Sequence, residues 1–93
     1  MMTHDSIPAR CEPLPWRRID GRVVIIQSDQ GIVHELDPVG SFLWNEASCT
    51  KSVAQIIEEL TEHFEIDAPS ALADAMEFYN TLLIGKLVRA SRN

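Results

Sequence analysis

The sequence has little cysteine, and its cysteines and histidines show no metal-binding pattern. It contains two cysteines, Cys11 and Cys49, and three histidines in 93 residues. Neither cysteine belongs to a Cys-x-x-Cys pair, and the histidines lack the short spacing of zinc ligands. We therefore expect two free thiols and no metal.

Long apolar runs and glycine-rich loops are also missing. No apolar stretch approaches the roughly 20 residues that cross a bilayer, and residues 1–10 lack the apolar segment of a secretion signal. The four glycines form no dinucleotide-binding or phosphate-binding loop. We expect a cytoplasmic protein with no cofactor and no membrane contact.

Basic residues are scarce in the helical part of the chain. The net charge is −6, and residues 37–84 contain one basic residue, Lys51, against nine acidic ones. A DNA-binding helix normally carries basic residues that face the phosphates. The third predicted helix has none, so we expect no nucleic-acid partner.

Three short segments predict an antiparallel meander of strands. The middle segment has four consecutive β-branched residues and fits the central position; the third segment alternates, with His34 facing the same way as its two apolar neighbours. Turn residues such as Asp20-Gly21 separate the segments. The segments are Leu14–Ile19, Arg22–Gln27 and Ile32–Leu36. The third strand is then an edge.

Three helices are predicted after the strands. They run from Pro38 to about Ala47, from Val53 to about Phe64, and from about Pro69 to about Ile84. Each follows a residue that can cap a helix, and Gly85 can end the last one. The fold class is therefore α+β, a winged-helix-like arrangement in which a three-stranded meander precedes a three-helix bundle.

The domain limits follow from these elements. Residues 1–13 contain Pro8 and Pro13 and no periodic pattern, so they predict a flexible N-terminal arm. Residues 14–88 form a single domain, at the end of which Leu87-Val88 predict a short extended segment, and residues 89–93 form a C-terminal tail.

The third helix carries two adjacent apolar stripes, which is more apolar surface than one core face requires. Either the helix is packed between the sheet and the other helices, or part of it offers a groove to a partner. One stripe is Leu72, Met76, Tyr79 and Leu83; the other is Ala71, Ala75, Phe78 and Leu82.

No catalytic group emerges from the sequence. His34 fits a partly buried structural histidine better than a base, and the acidic residues of the second helix, such as Glu58 and Glu62, fit a solvated face. We therefore expect a binding module that has no catalytic residues and is not an enzyme.

The segment from Gly31 to Trp44, GIVHELDPVGSFLW, resembles the strand-to-helix signature of the PqqD family. In that signature a strand ends in Leu-Asn and leads to a Val/Thr-Gly step and an Ile/Leu-Trp pair. Residues 52–57 and 74–88 resemble two further family segments. The sequence departs from the pattern at Asp37, where asparagine is common, and at Lys86, where glycine is usual.

The resemblance implies a module that binds the leader of a ribosomally made precursor peptide and presents it to a modifying enzyme, often a radical S-adenosylmethionine enzyme. Production of pyrroloquinoline quinone is one such pathway. The leader would add as a strand beside the third strand and pack against the third helix. The expected peptide-binding residues are Ile32, Val33, His34, Glu35, Leu36, Met76, Tyr79 and Leu83. Which stripe of the helix faces the leader is left open.

Other functions remain as alternatives. The open edge of the third strand could pair with the same strand of a second copy. We therefore expect a monomer or a weak homodimer. A structural or homodimerising role is the runner-up function. A small quinone-handling enzyme or a DNA-binding winged helix fits the residues less well.

Overall fold

The computed structural model describes residues 2–11, 15–27 and 31–92 of the chain. In chain order its elements are β1 (Ser6–Arg10), β2 (Trp16–Ile19), β3 (Arg22–Gln27), β4 (Ile32–Glu35), α1 (Pro38–Glu46), α2 (Val53–Phe64), α3 (Ala68–Ile84) and β5 (Val88–Arg92). The strands form two separate sheets, one of three strands and one of two.

The three-stranded sheet is the predicted meander. Its order is β2-β3-β4, with both pairs antiparallel, so β3 is central and β4 is an edge. Asp20 and Gly21 join β2 to β3 with φ of 53° and 79°. Two positive φ angles are typical of the tight turn that matches the twist of a hairpin. Leu14 and the predicted turn residues 28–30 lie outside the described residues.

The three predicted helices are confirmed, and each begins at a capping side chain. The Asp37 carboxylate accepts a hydrogen bond from the Gly40 N–H, and Asp67 accepts one from Ser70. Ser52 and Gln55 form a reciprocal capping box at the start of α2. These side chains satisfy N–H groups that have no partner within the helix.

Residues 1–13 were expected to form a flexible arm, and the described part of that segment, residues 2–11, differs from this expectation. Ser6–Arg10 form β1, which pairs antiparallel with β5, and Met2 is buried in the core. The expected C-terminal tail is likewise part of this second sheet up to Arg92. The two strands are at opposite ends of the sequence, so no local sequence pattern indicates that they pair. Residues 1, 12–14 and 93 lie outside the described part of the chain.

The core lies between the three helices and one face of β3. Its largest fully buried side chains include Trp44 and Tyr79, together with Ile25, Leu43, Ile56 and Leu60. On α3 the buried positions are Ala71, Ala75, Tyr79 and Leu82. They share one face of the helix but come from both predicted stripes. The helix is thus packed into the core along one side and free on another.

Neither cysteine is bonded, and Cys11 is half-buried while Cys49 is exposed. Within residues 2–11, 15–27 and 31–92, no helix has the length and hydropathy needed to cross a membrane. The same part of the chain contains no group of three or more histidine, cysteine or acidic side chains placed to share a metal ion.

Candidate functional site

The outer edge of β4 is open. On its inner side β4 pairs with β3, and Leu36 donates a hydrogen bond to the Val23 oxygen at 2.9 Å. That bond fixes the phase of the ladder: Ile32, His34 and Leu36 direct their main-chain groups towards β3. Val33 and Glu35 therefore direct theirs outward. Among the described residues, no strand pairs with this outer edge.

A buried serine joins the end of this ladder to α1. The Val23 N–H donates to the Ser41 hydroxyl at 2.8 Å, and that hydroxyl lies 3.3 Å from the Leu36 oxygen, to which it donates. Ser41 is 2% exposed. The hydroxyl thus stands between two main-chain groups that would otherwise bond directly, and it holds the first turn of α1 against the end of β4. Nothing in the sequence distinguishes Ser41 from a surface serine.

A cleft of about 450 Å³ lies beside the open edge, between the end of β4, the start of α1 and one face of α3. The strand and α1 contribute His34, Leu36, Asp37, Val39, Gly40 and Leu43 to its lining. The lining from α3 is Asp74, Glu77, Phe78, Thr81 and Leu82. An open main-chain edge and a side-chain cleft therefore occur together.

Gly40 permits the close approach of α1 and α3 at the base of this cleft. A Cβ atom at this position would lie 3.2 Å from Cε1 of Phe78 and 3.1 Å from the Asp37 carboxylate oxygen Oδ1. Both distances are shorter than ordinary van der Waals contact. The absence of a side chain lets the Phe78 ring rest against the backbone of α1.

His34 is fixed within the strand. Its Nε2 lies 2.7 Å from Oε1 of Gln27 on β3, and the ring is half-buried where it lines the cleft. Its two neighbours are exposed: Val33 is 62% exposed, and Glu35 forms a surface ion pair with Arg22 at 3.4 Å. The strand thus has one face towards the cleft and one towards solvent.

The structure brings together only part of the predicted peptide-binding set. His34 and Leu36 line the cleft, while Ile32, Val33 and Glu35 lie on the same open strand. Met76, Tyr79 and Leu83 are not among the lining residues. Met76 and Leu83 are two residues, or about 200°, away from Asp74 and Thr81, so they face away from the cleft. Tyr79 instead lies on the buried face of α3 together with Leu82.

Tyr79 departs most clearly from the peptide-binding role expected from the sequence. It is fully buried, and its hydroxyl donates to the Leu43 oxygen at 2.6 Å. Burial raises the pKa of Tyr79 well above its ordinary value. This side chain belongs to the core and has no surface to offer to a peptide.

The face of α3 that lines the cleft was missed because it is only partly apolar. Asp74, Glu77, Phe78 and Thr81 follow the i, i+3, i+4, i+7 spacing of one helical face, yet only Phe78 is hydrophobic. Phe78 and Leu82 belong to the second predicted stripe. The signal in the sequence that indicates this face is a helical spacing of mixed acidic and apolar residues.

Comparisons with known proteins agree with this architecture. The family model described as coenzyme PQQ synthesis protein D (PqqD) matches residues 22–88. The solved structure described as TbiB1 in complex with the TbiA(beta) leader peptide superposes with a TM-score of 0.77 and 22% identity, covering 91% of this chain and 99% of that one. No curated protein matches the sequence. The matched segment, which contains β3, β4 and all three helices, shows that the chain belongs to the PqqD family.

Proposed function

We propose that the chain is a non-catalytic module that binds the leader of a ribosomally synthesised precursor peptide and presents it to a modifying enzyme. The single observation that carries the proposal is the open outer edge of β4 beside the cleft. Membership of the PqqD family supports it. The fold shared with TbiB1, whose structure contains a leader peptide, supports it further.

The mechanism is the addition of the leader as a fourth strand. Val33 and Glu35 provide the outward N–H and C=O groups with which a guest strand would pair. Side chains of directly paired residues lie on the same face of a sheet. Guest residues beside His34 and Leu36 therefore enter the cleft, and those beside Val33 and Glu35 face solvent. A short augmentation of this kind reaches about micromolar affinity, or about −8 kcal/mol.

The proposed contact residues on α3 differ from those expected from the sequence. Phe78 and Leu82 supply the apolar contacts, and Asp74, Glu77 and Thr81 complete that wall of the cleft. Main-chain pairing supplies affinity with little demand on sequence, while these side chains supply the specificity.

The recipient of the bound leader in this proposal is a modifying enzyme of the radical S-adenosylmethionine class, as the family resemblance implies. The site of action is the cytoplasm, where ribosomes make such precursors. The proposed module does not bind nucleic acid, because Asp74 and Glu77 would repel phosphate groups at the cleft.

Replacing Val33 by proline tests the edge directly. Proline removes the outward N–H of Val33 and leaves the ladder to β3 intact, because the inward groups belong to Ile32 and His34. Synthetic peptides that cover the short reading frames beside the gene serve as probes in isothermal titration. We expect at least about tenfold weaker binding to the proline variant, or about 1.4 kcal/mol.

The matched control is Val33→Ala, which keeps the N–H and removes an exposed side chain. It should bind within about twofold of the parent, because the main chain is unchanged. Both variants are first checked for native NMR spectra. A folded proline variant that binds like the parent would overturn the proposed site.

Pairing with a second copy is the other function that the structure favours. Ile32 and Val33 are apolar, 40% and 62% exposed, and lie on the open edge. Exposed apolar edge strands readily pair with each other. Sedimentation over a dilution series separates the two functions: a monomer that still binds leader peptide supports recognition, and a dimer that excludes the peptide supports homodimerisation.

A further inference from the structure

Three carboxylates line the cleft and stay exposed. Asp37 is at the start of α1, and Asp74 and Glu77 lie one turn apart on α3. The ion pairs of the described residues involve Arg22, Lys51 and their acidic partners, and none includes these three carboxylates. No lysine or arginine is among the lining residues. The Gly40 N–H at the positive end of α1 compensates part of the charge on Asp37. Within the described part of the chain, the negative charge of Asp74 and Glu77 is therefore the part that is not neutralised.

The floor of the same cleft is apolar. It is formed by Leu36, Val39, Leu43, Phe78 and Leu82. These side chains are partly or fully buried and belong to the core or pack against it. An occupant that matches the cleft must therefore bring an apolar group to the floor and positive charge to the rim.

The strand geometry fixes how these two groups are spaced in a bound peptide. Guest residues on the face shared by His34 and Leu36 enter the cleft, and successive residues on one face of a strand are two apart. Two inward guest positions, i and i+2, thus meet the cleft beside these residues. The pair can therefore carry one apolar side chain for the floor and one cationic side chain for the rim.

We propose that the cleft selects extended peptides in which a lysine or arginine lies two residues from a large apolar residue. This inference rests on the proposed function and names the class of leader that the site accepts. Charge complementarity favours a cationic side chain. A metal ion is a poorer occupant, since the described residues contain no group of three ligating side chains close enough to share one.

Selection from a random dodecapeptide library by mRNA display tests the inference and requires no candidate leader. Peptides are recovered on the full chain, and their binding site is mapped by NMR shifts at Val33, Glu35 and Phe78. In the recovered peptides we expect lysine or arginine to be enriched at the second position before or after a large apolar residue, that is, leucine, isoleucine, phenylalanine, tyrosine or tryptophan. Cleft-bound peptides without that enrichment would overturn the inference and leave the proposed function standing. Absence of any cleft-bound peptide would overturn both.

A charge-matched pair of double variants then separates local from overall electrostatics. Asp74→Asn with Glu77→Gln neutralises the rim, and Glu58→Gln with Glu62→Gln makes the same change in net charge on the exposed face of α2. The rim variant should bind a selected basic peptide about five- to thirtyfold more weakly, and the α2 variant within about twofold. A version of the peptide with norleucine in place of lysine should bind all three proteins alike. Equal losses in the two double variants would contradict a specific role for the rim.

Discussion

The Tyr79 hydroxyl and the Leu43 oxygen are joined by a hydrogen bond of 2.6 Å that ties α3 to the last turn of α1. Carbonyl groups in a last turn lack helical donors, and the Ala47 N–H bonds to the Trp44 oxygen instead. Nη1 of Arg10 on β1 donates to the oxygens of Trp44 and Asn45 at 3.0 and 2.9 Å. Side chains from distant parts of the sequence therefore cap α1.

Replacing Tyr79 by phenylalanine should destabilise the fold by about 1–3 kcal/mol, because the buried Leu43 carbonyl loses its donor while the ring packing is kept. Urea denaturation followed by circular dichroism measures the change. An unfolding free energy equal to that of the parent would show that the hydroxyl contributes nothing.

The same bond predicts a dependence of stability on alkaline pH. Burial raises the pKa of Tyr79 above its unfolded value of 10.0, so the stabilisation is complete below that pH and is lost as the pH rises beyond it. The difference in unfolding free energy between the parent and Tyr79→Phe should shrink above about pH 10, by at most about 1.4 kcal/mol per pH unit. Tyr79 is the sole tyrosine, so absorbance at the phenolate band reports its ionisation. Titration of the folded protein with an ordinary midpoint would contradict the burial.

Arg10→Met should also weaken the fold, by about 1–3 kcal/mol, since two carbonyls at the negative end of α1 lose a charged donor. Arg17→Met on β2 is the control, because Arg17 is exposed, and it should change stability by less than about 0.5 kcal/mol. Thermal unfolding of the two variants side by side makes the comparison, and equal melting temperatures would refute the cap.

The two ends of α1 illustrate what the sequence could and could not predict. The start of α1 was predictable, because the Asp37 carboxylate caps the nearby Gly40 N–H and Pro38, which has no N–H of its own, suits the first helical position. Its end was not, because its partners are 34 to 36 residues away. The pairing of β1 with β5 was missed for the same reason. The edge position of β4 was predictable, since a meander leaves its third strand outermost. Which face of α3 lines the cleft depends on the rotation of the helix about its axis relative to α1. The two apolar stripes of α3 do not determine that rotation.

Lys86 occupies a position better suited to glycine. Its φ is 62°, and the N–H groups of Lys86 and Leu87 bond back to the oxygens of Leu83 and Leu82 at the end of α3. This is the Schellman pattern, whose left-handed residue carries strain when it has a Cβ. Lys86→Gly should stabilise the fold by about 0.5–1 kcal/mol. Lys86→Ala keeps the Cβ and should bring no such gain; equal effects of the two changes in urea denaturation would contradict this assignment.

Gly40→Ala should weaken peptide binding more than it weakens the fold. The new methyl group would press on the Phe78 ring and the Asp37 carboxylate, and displacement of the ring reshapes the cleft floor. Better helix propensity offsets part of the cost in stability, by about 0.5–1 kcal/mol. Titration of a cleft-bound peptide should show at least about threefold weaker binding, equivalent to about 0.7 kcal/mol. Unchanged affinity would mean that the packing of Phe78 against α1 does not shape the site.

The most direct test of the whole account is amide hydrogen exchange at Val33 and Glu35, measured by NMR with and without a saturating peptide. An open edge predicts fast exchange at both amides in the free protein, with His34 protected by its bond to β3, and strong protection at both once the peptide is bound. Val33 and Glu35 amides that are already protected in the free protein, or that stay fast in the saturated complex, would contradict recognition by strand addition.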